Sequence, residues 1–176
     1  QSTHGQVYWS DSHQMSWYEE NYHHDLEQHT DIRPGTEMIT EVYVPRKVLP
    51  DFLEQTANEL RKRKADVVYG TVRYILKDDT TALPWAKQDY ACIVFNLHVD
   101  HDRAGLAKAE QDFRLLIDLA LERDGSYFPT YHRWVTPKQV DAAHPGFRDF
   151  LAKKKELDPA GRFQSDWYRH HVNLLA

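Results

Sequence analysis

The chain has 176 residues, a formal net charge of −5 and a single cysteine, which is length enough for one domain with a sizeable core. Basic and acidic residues are mixed along it, leaving no basic face for nucleic acid and no polybasic cluster for a membrane surface. No apolar run approaches the ~18 residues of a membrane span, the first residues lack the apolar centre of a signal peptide, and Cys92 can form no internal disulfide; a cytoplasmic protein is the expectation. The start at Gln1, without an initiator Met, reads as a piece of something longer.

Residues 1–36 are rich in His, Gln, Asp, Glu and Tyr with no sustained period, and are expected to form an extended arm. Its rings, Tyr8, Trp9, Trp17, Tyr18 and Tyr22, argue against simple disorder and call for a surface to lie on. From Glu37 the residues alternate, Met38, Thr40, Val42 and Val44 against Ile39, Glu41 and Tyr43, which predicts a strand bounded by Pro45. Leu49, Phe52, Leu53, Thr56 and Leu60 recur at helical spacing, with Arg61-Lys62-Arg63-Lys64 where a helix C-terminus favours positive charge. Alternation returns over Asp66–Lys77 and Tyr90–Val99, predicting two more strands. A second helix is expected after Asp102 as N-cap, with Gly125 just past its end. "SYFPTYHRW", residues 126–134, reads as a fourth strand, and short helices follow, one capped by Thr136 and one ended by Asp158-Pro159.

The order strand, helix, strand, strand, helix, strand predicts an α+β, ferredoxin-like antiparallel sheet over residues 37–135 with helices on one face. Residues 136–176 are expected to pack on it as a C-terminal helical segment. Because successive strand residues point to opposite sides, Val68, Val72, Tyr74, Leu76, Ala91, Ile93, Phe95, Leu97 and Val99 are assigned to the helix side. The helix-free side then gathers Ile39, Glu41, Tyr43, Tyr69, Thr71, Arg73, Tyr90, Cys92, Val94, Asn96 and His98. Solvated polar residues are the ordinary occupants of such a face. The mixture of Tyr, Val, Ile and Cys with a few polar groups suits a covered surface better.

Over roughly residues 37–170 the chain resembles the C-terminal, substrate-side domain of FAD-linked oxidases of the vanillyl-alcohol oxidase type, relatives of aldonolactone, polyol and glycolate oxidases. The likeness rests on the succession of elements and on the closing pattern "GSYFPTYHRWVTPKQVDAAHPGFRDFLAKKKELDPAGRFQSDW". Thr71-Val72-Arg73 resembles the family's Glu-x-Arg with Thr in place of Glu, Asn96-Leu97-His98 its His-x-Thr, and Pro129-Thr130-Tyr131-His132-Arg133 its Pro-His-Trp-Gly-Lys. The resemblance implies oxidation of an alcohol, hydroxy acid or sugar-derived substrate by hydride transfer to flavin. Arg73, His98 and Arg133 would be the catalytic set, lining one cleft; Tyr69, Thr71, Asn96, Tyr131 and His132 would bind substrate; Arg133 and Gln164 would meet the cofactor.

An imidazole titrates near working pH, so His98 and His132 are the candidate bases; Tyr69, Tyr127 and Tyr131 could supply hydroxyl donors and rings. Alternation separates Tyr131 and Arg133 from His132, making His132 the weaker of the two. With seven glycines and no Gly-rich pyrophosphate loop, the chain is expected to depend on an upstream FAD-binding domain and to be inactive alone. The aromatic arm would lie over that domain or join two copies as a homodimer. No metal site is expected: His98 and His101 stand at a strand end, His23-His24 has no partner cysteine pair, and His170-His171 reads as a surface pair. The competing reading is a ferredoxin-like ligand-binding or assembly module without catalysis.

Overall fold

The structure, a computed structural model, describes residues 35–176; the arm, its rings and His23-His24 lie outside the described residues. Strand β1 (Gly35–Pro45) leads through a single 3-10 turn into helix α1 (Leu49–Lys62), followed by β2 (Val67–Ile75), β3 (Tyr90–Asp100), α2 (Arg103–Leu121) and β4 (Ser126–Tyr127). Three helices close the chain: α3 (Pro137–Ala143), α4 (Phe147–Leu157) and α5 (Asp166–Leu174). The strands form one antiparallel sheet in the order β2-β3-β1-β4, the arrangement expected of a ferredoxin-like α+β domain.

Local chemistry explains most boundaries. Pro50 lies in the first turn of α1, where its missing N–H costs nothing. The Asp102 carboxylate accepts the Gly105 N–H at 2.6 Å to cap α2. Thr136 and Gln139 form a reciprocal capping box on α3. In the α4–α5 turn Asp158 accepts the N–H groups of Arg162 and Phe163, with Lys154 Nζ beside it at 2.5 Å.

The core lies on the helix side of the sheet. Val42 and Val44 of β1, with Ala91, Ile93, Phe95, Leu97 and Val99 of β3, pack against Phe52 and Leu60 of α1 and Phe113, Leu116 and Ile117 of α2. Phe147 and Leu175, with partly buried Trp167, extend this core beneath the C-terminal helices. A smaller cluster, Tyr43, Ala86, Tyr90, Cys92 and Val94, sits on the opposite face under Trp85 and Phe128.

Two expectations need correction. The fourth strand does not run to Trp134 but stops at Tyr127, since β1 offers it only Val42 and Tyr43 as partners, with one further bond from Phe128 N–H to the Glu41 carbonyl. The helix side of β2 is not a buried apolar set either: Val72 and Tyr74, and Leu76 just past the strand, are exposed. Strand β2 is an edge, and the helices sit over the middle of the sheet.

Gly125 joins α2 to β4 where the backbones crowd. A Cβ there would lie 2.2 Å from the Tyr43 carbonyl oxygen and 2.4 Å from that of Ala120, and neither backbone atom is free to retreat. Gly125→Ala is therefore expected to destabilise the fold by about 1–3 kcal/mol, read as a lower urea midpoint at unchanged slope.

Candidate functional site

The helix-free face holds a carboxylate surrounded by donors. Glu41, central on β1 and 8% exposed, accepts the Tyr43 hydroxyl at 2.9 Å and the Cys92 thiol at 3.6 Å on Oε2. Its Oε1 accepts the Tyr131 hydroxyl at 3.0 Å and the Arg73 guanidinium. Strand register makes this assembly: Tyr43 lies opposite Cys92, and Cys92 opposite Arg73, so three adjacent strands present one row of side chains.

Rings wall the row. Trp85, from the β2–β3 loop, packs 5.3 Å from Tyr43 and 5.9 Å from Phe128, which packs 5.8 Å from Tyr131. Ring geometry of this kind adds stability beyond simple area burial. The expectation of a covered rather than wet face holds for this half of the sheet.

The electrostatics leave few reactive groups. Burial pushes the Cys92 thiol up to about 11, with the Glu41 charge adding to it, so it stays protonated and is no nucleophile at neutral pH. Tyr43 and Tyr131 are raised by burial and then by Glu41. Burial disfavours the charge on Arg73, but Glu41 and Cys92 together more than offset this and hold it above the usual arginine value. The Arg73 side chain is 57% exposed while tied to Glu41 by Nη2. It is an anchored cation with more than half of its side chain exposed.

Of the expected site residues, Arg73 and Tyr131 meet at this carboxylate. Tyr69 and Thr71 share their face on β2, and Asn96 lies beyond Val94 on β3, its Nδ2 donating to Glu37 at 3.0 Å. The single cleft of Arg73, His98 and Arg133 does not assemble. His98 shares the face but stands six residues along β3 from Cys92, the neighbour of Arg73, a separation of about 20 Å at strand rise; it lies 3.7 Å from Asp100. Arg133 follows the end of β4, is 60% exposed and faces Asp166 of α5 at 3.8 Å.

His132 requires a correction of face as well as of role. It is buried on the helix side, its ring 4.8 Å from Phe113 and 5.7 Å from Trp134. Its Nδ1 accepts the Trp134 N–H and its Nε2 lies 3.4 Å from Thr40 Oγ1, which sets the neutral tautomer with the proton on Nε2. Burial lowers its pKa to about 4. It is a core histidine that cannot reach a substrate on the other face. Tyr127 likewise points into the core, fully buried. The His170-His171 pair is not a surface pair: His171 is 1% exposed and stacks 4.9 Å from Phe147.

Gln164 sits in an exposed turn, its Nε2 donating to the Gly161 carbonyl at 3.1 Å. No group of His, Cys, Asp and Glu among the described residues could hold a metal ion. Glu41 was visible on its face in the sequence but not as the hub. The signal was its position, a carboxylate flanked by Thr40 and Val42 in a strand otherwise apolar enough to be central, where an unpaired charge would be costly.

No helix among the described residues is long and apolar enough to cross a membrane. No family model matches the chain, and no curated protein matches it.

Proposed function

We propose that the helix-free face is the substrate-side wall of an FAD-dependent oxidoreductase acting on an alcohol, hydroxy acid or sugar-derived substrate, with the flavin held by a separate domain. The observation that carries this reading is the buried Glu41 carboxylate fixing an outward-facing Arg73 beside Tyr131. Bound FAD would supply the hydride acceptor. Arg73 has donors beyond the one on Glu41 and the geometry to grip a carboxylate or paired hydroxyls. Because its position is set by Glu41, little ordering is left for the moment of binding.

Tyr131 already donates to Glu41. It is the group through which a substrate hydroxyl proton would pass to the carboxylate, a role the sequence had given to histidine. Trp85, Phe128 and Tyr131 offer apolar contact to a ring or carbon chain. The resemblance of residues 37–170 to flavin-linked oxidases agrees with this division of labour.

The test is expression of the whole reading frame that encodes this chain, a flavin absorbance spectrum, and anaerobic bleaching by a panel of polyols, lactones, sugar acids and hydroxy acids. One class is expected to bleach the flavin, and Arg73→Ala to slow that bleaching by about 100-fold. A whole protein that binds no flavin, or an Arg73→Ala rate equal to wild type, would return the face to a ligand-binding or assembly role.

A further inference from the structure

Strand β2 is the unpaired edge of the sheet among the described residues. Its nine residues, VVYGTVRYI, carry one charge, no proline and one β-bulge, between Val67 and Tyr69, so over Tyr69–Ile75 little keeps the edge from pairing. Val67, Val72 and Tyr74 are exposed along it. Beside it runs an apolar groove of about 560 Å³ between α1 and the sheet, lined in part by Leu53, Leu60, Val67 and Phe95.

The two ends of this edge carry opposite charge. Arg61-Lys62-Arg63-Lys64 precedes β2, while Lys77-Asp78-Asp79 follows it and keeps a net negative charge although Lys77 lies 2.7 Å from Asp79. A strand with such ends is complementary to itself when turned antiparallel.

We propose that β2 pairs antiparallel with β2 of a second copy of this chain, centred on Thr71, joining two sheets into one. This centre keeps both helix-free faces on the same side and opposes the regular stretch Tyr69–Arg73 of the two copies residue for residue, with the β-bulge between Val67 and Tyr69 at either end. It brings the basic run of each copy towards the Lys77-Asp78-Asp79 end of the other. It also sets Tyr69 of the second copy opposite Arg73, extending the row Tyr43, Cys92, Arg73 by one strand at ordinary cross-strand spacing. On the helix side, Tyr74 of the second copy falls beside the bulged Val67-Val68 pair, of which Val67 lines the groove. The pairing stands on the edge itself; only the part played by Tyr69 at the site rests on the functional reading above.

Sedimentation velocity of the full chain is expected to give a dimer at micromolar concentration, weakened by salt because the ends are charged. Val72→Lys puts two like charges close to the two-fold axis and is expected to raise the dissociation constant by about tenfold or more. Thr71→Cys is expected to cross-link two copies under mild oxidation by copper–phenanthroline, whereas Tyr69→Cys, which would face Arg73, is not. A wild-type chain that stays monomeric, or a dimer in which Thr71→Cys fails to cross-link, overturns the proposal. None of these measurements involves flavin, so a failure to bleach would remove the oxidoreductase reading and leave the dimer standing.

Discussion

Stability is expected to fall by several kcal/mol as the pH drops from about 7 to about 4, and two buried histidines account for most of the loss. His132 and His144 are both held at about 4 in the fold, chiefly by burial, against 6.5 for an ordinary histidine. The unfolded chain therefore takes up protons first, and the stability these groups confer is complete above about 6.5 and lost as the pH falls towards their folded values. Each contributes about 2 kcal/mol of loss by pH ~5 and about 3 kcal/mol by pH ~4. Against a typical total of about 5–15 kcal/mol, that is a large fraction.

The structural reasons differ. Protonating His132 would turn its Nδ1, which accepts the Trp134 N–H, into a second donor facing the first. His144 donates from Nε2 to the Tyr127 carbonyl at 3.0 Å, and its Nδ1 has no hydrogen-bond partner among the described residues; Lys87 and His171 add positive charge nearby. His171, donating from Nδ1 to the Trp167 carbonyl at 2.8 Å, is lowered in the same direction, again chiefly by burial. Asp78, Asp158 and Asp166 are held below the usual carboxylate value by their hydrogen bonds and so lose their contribution only at more acid pH. Urea melts at several pH values check the slope, and His132→Phe is expected to flatten it. A stability unchanged between pH ~7 and ~5 would show that these rings are hydrated.

Phe113→Ala is expected to cost about 3–5 kcal/mol. Phe113 has 0% exposure at the centre of α2, and its ring touches His132 at 4.8 Å and Trp134 at 5.3 Å. Removing it opens a void that backbone from a helix and a sheet cannot close, so the cavity term adds to the lost burial. The void lies beside His132, and water entering it would let the imidazole pKa rise back towards 6.5. The same variant should thus show a shallower acid dependence, and combining it with His132→Phe should give non-additive losses. An additive pair, or a loss under about 1 kcal/mol, would mean that the core repacks around the site.

These two residues also mark where local pattern stops being informative. Alternation put Glu41, Tyr43, Cys92 and Arg73 on one face, and register confirms it. The Asp102 and Thr136 caps were equally legible, because a cap depends on residues within one helical turn. The stretch 126–134 was not. Its composition favours a long strand, but a strand lasts only as far as its neighbour provides bonds, and β1 pairs it at two positions. Beyond Tyr127 the alternation is released: Tyr131 returns to the helix-free face, His132 enters the core and Arg133 turns to α5.

The sequence alone determined the order of elements, the side of each long strand on which its residues lie outside the β-bulge at Val67–Tyr69, and the helix ends, since all of these follow from chemistry within a few residues. Only the tertiary structure decided that Glu41 gathers the donors, that His132 is core and His98 remote from Arg73, and that β2 is the edge of the sheet among the described residues. Each of those outcomes depends on which distant strand or helix lies alongside, and a period of two or of 3.6 carries no information about its neighbours.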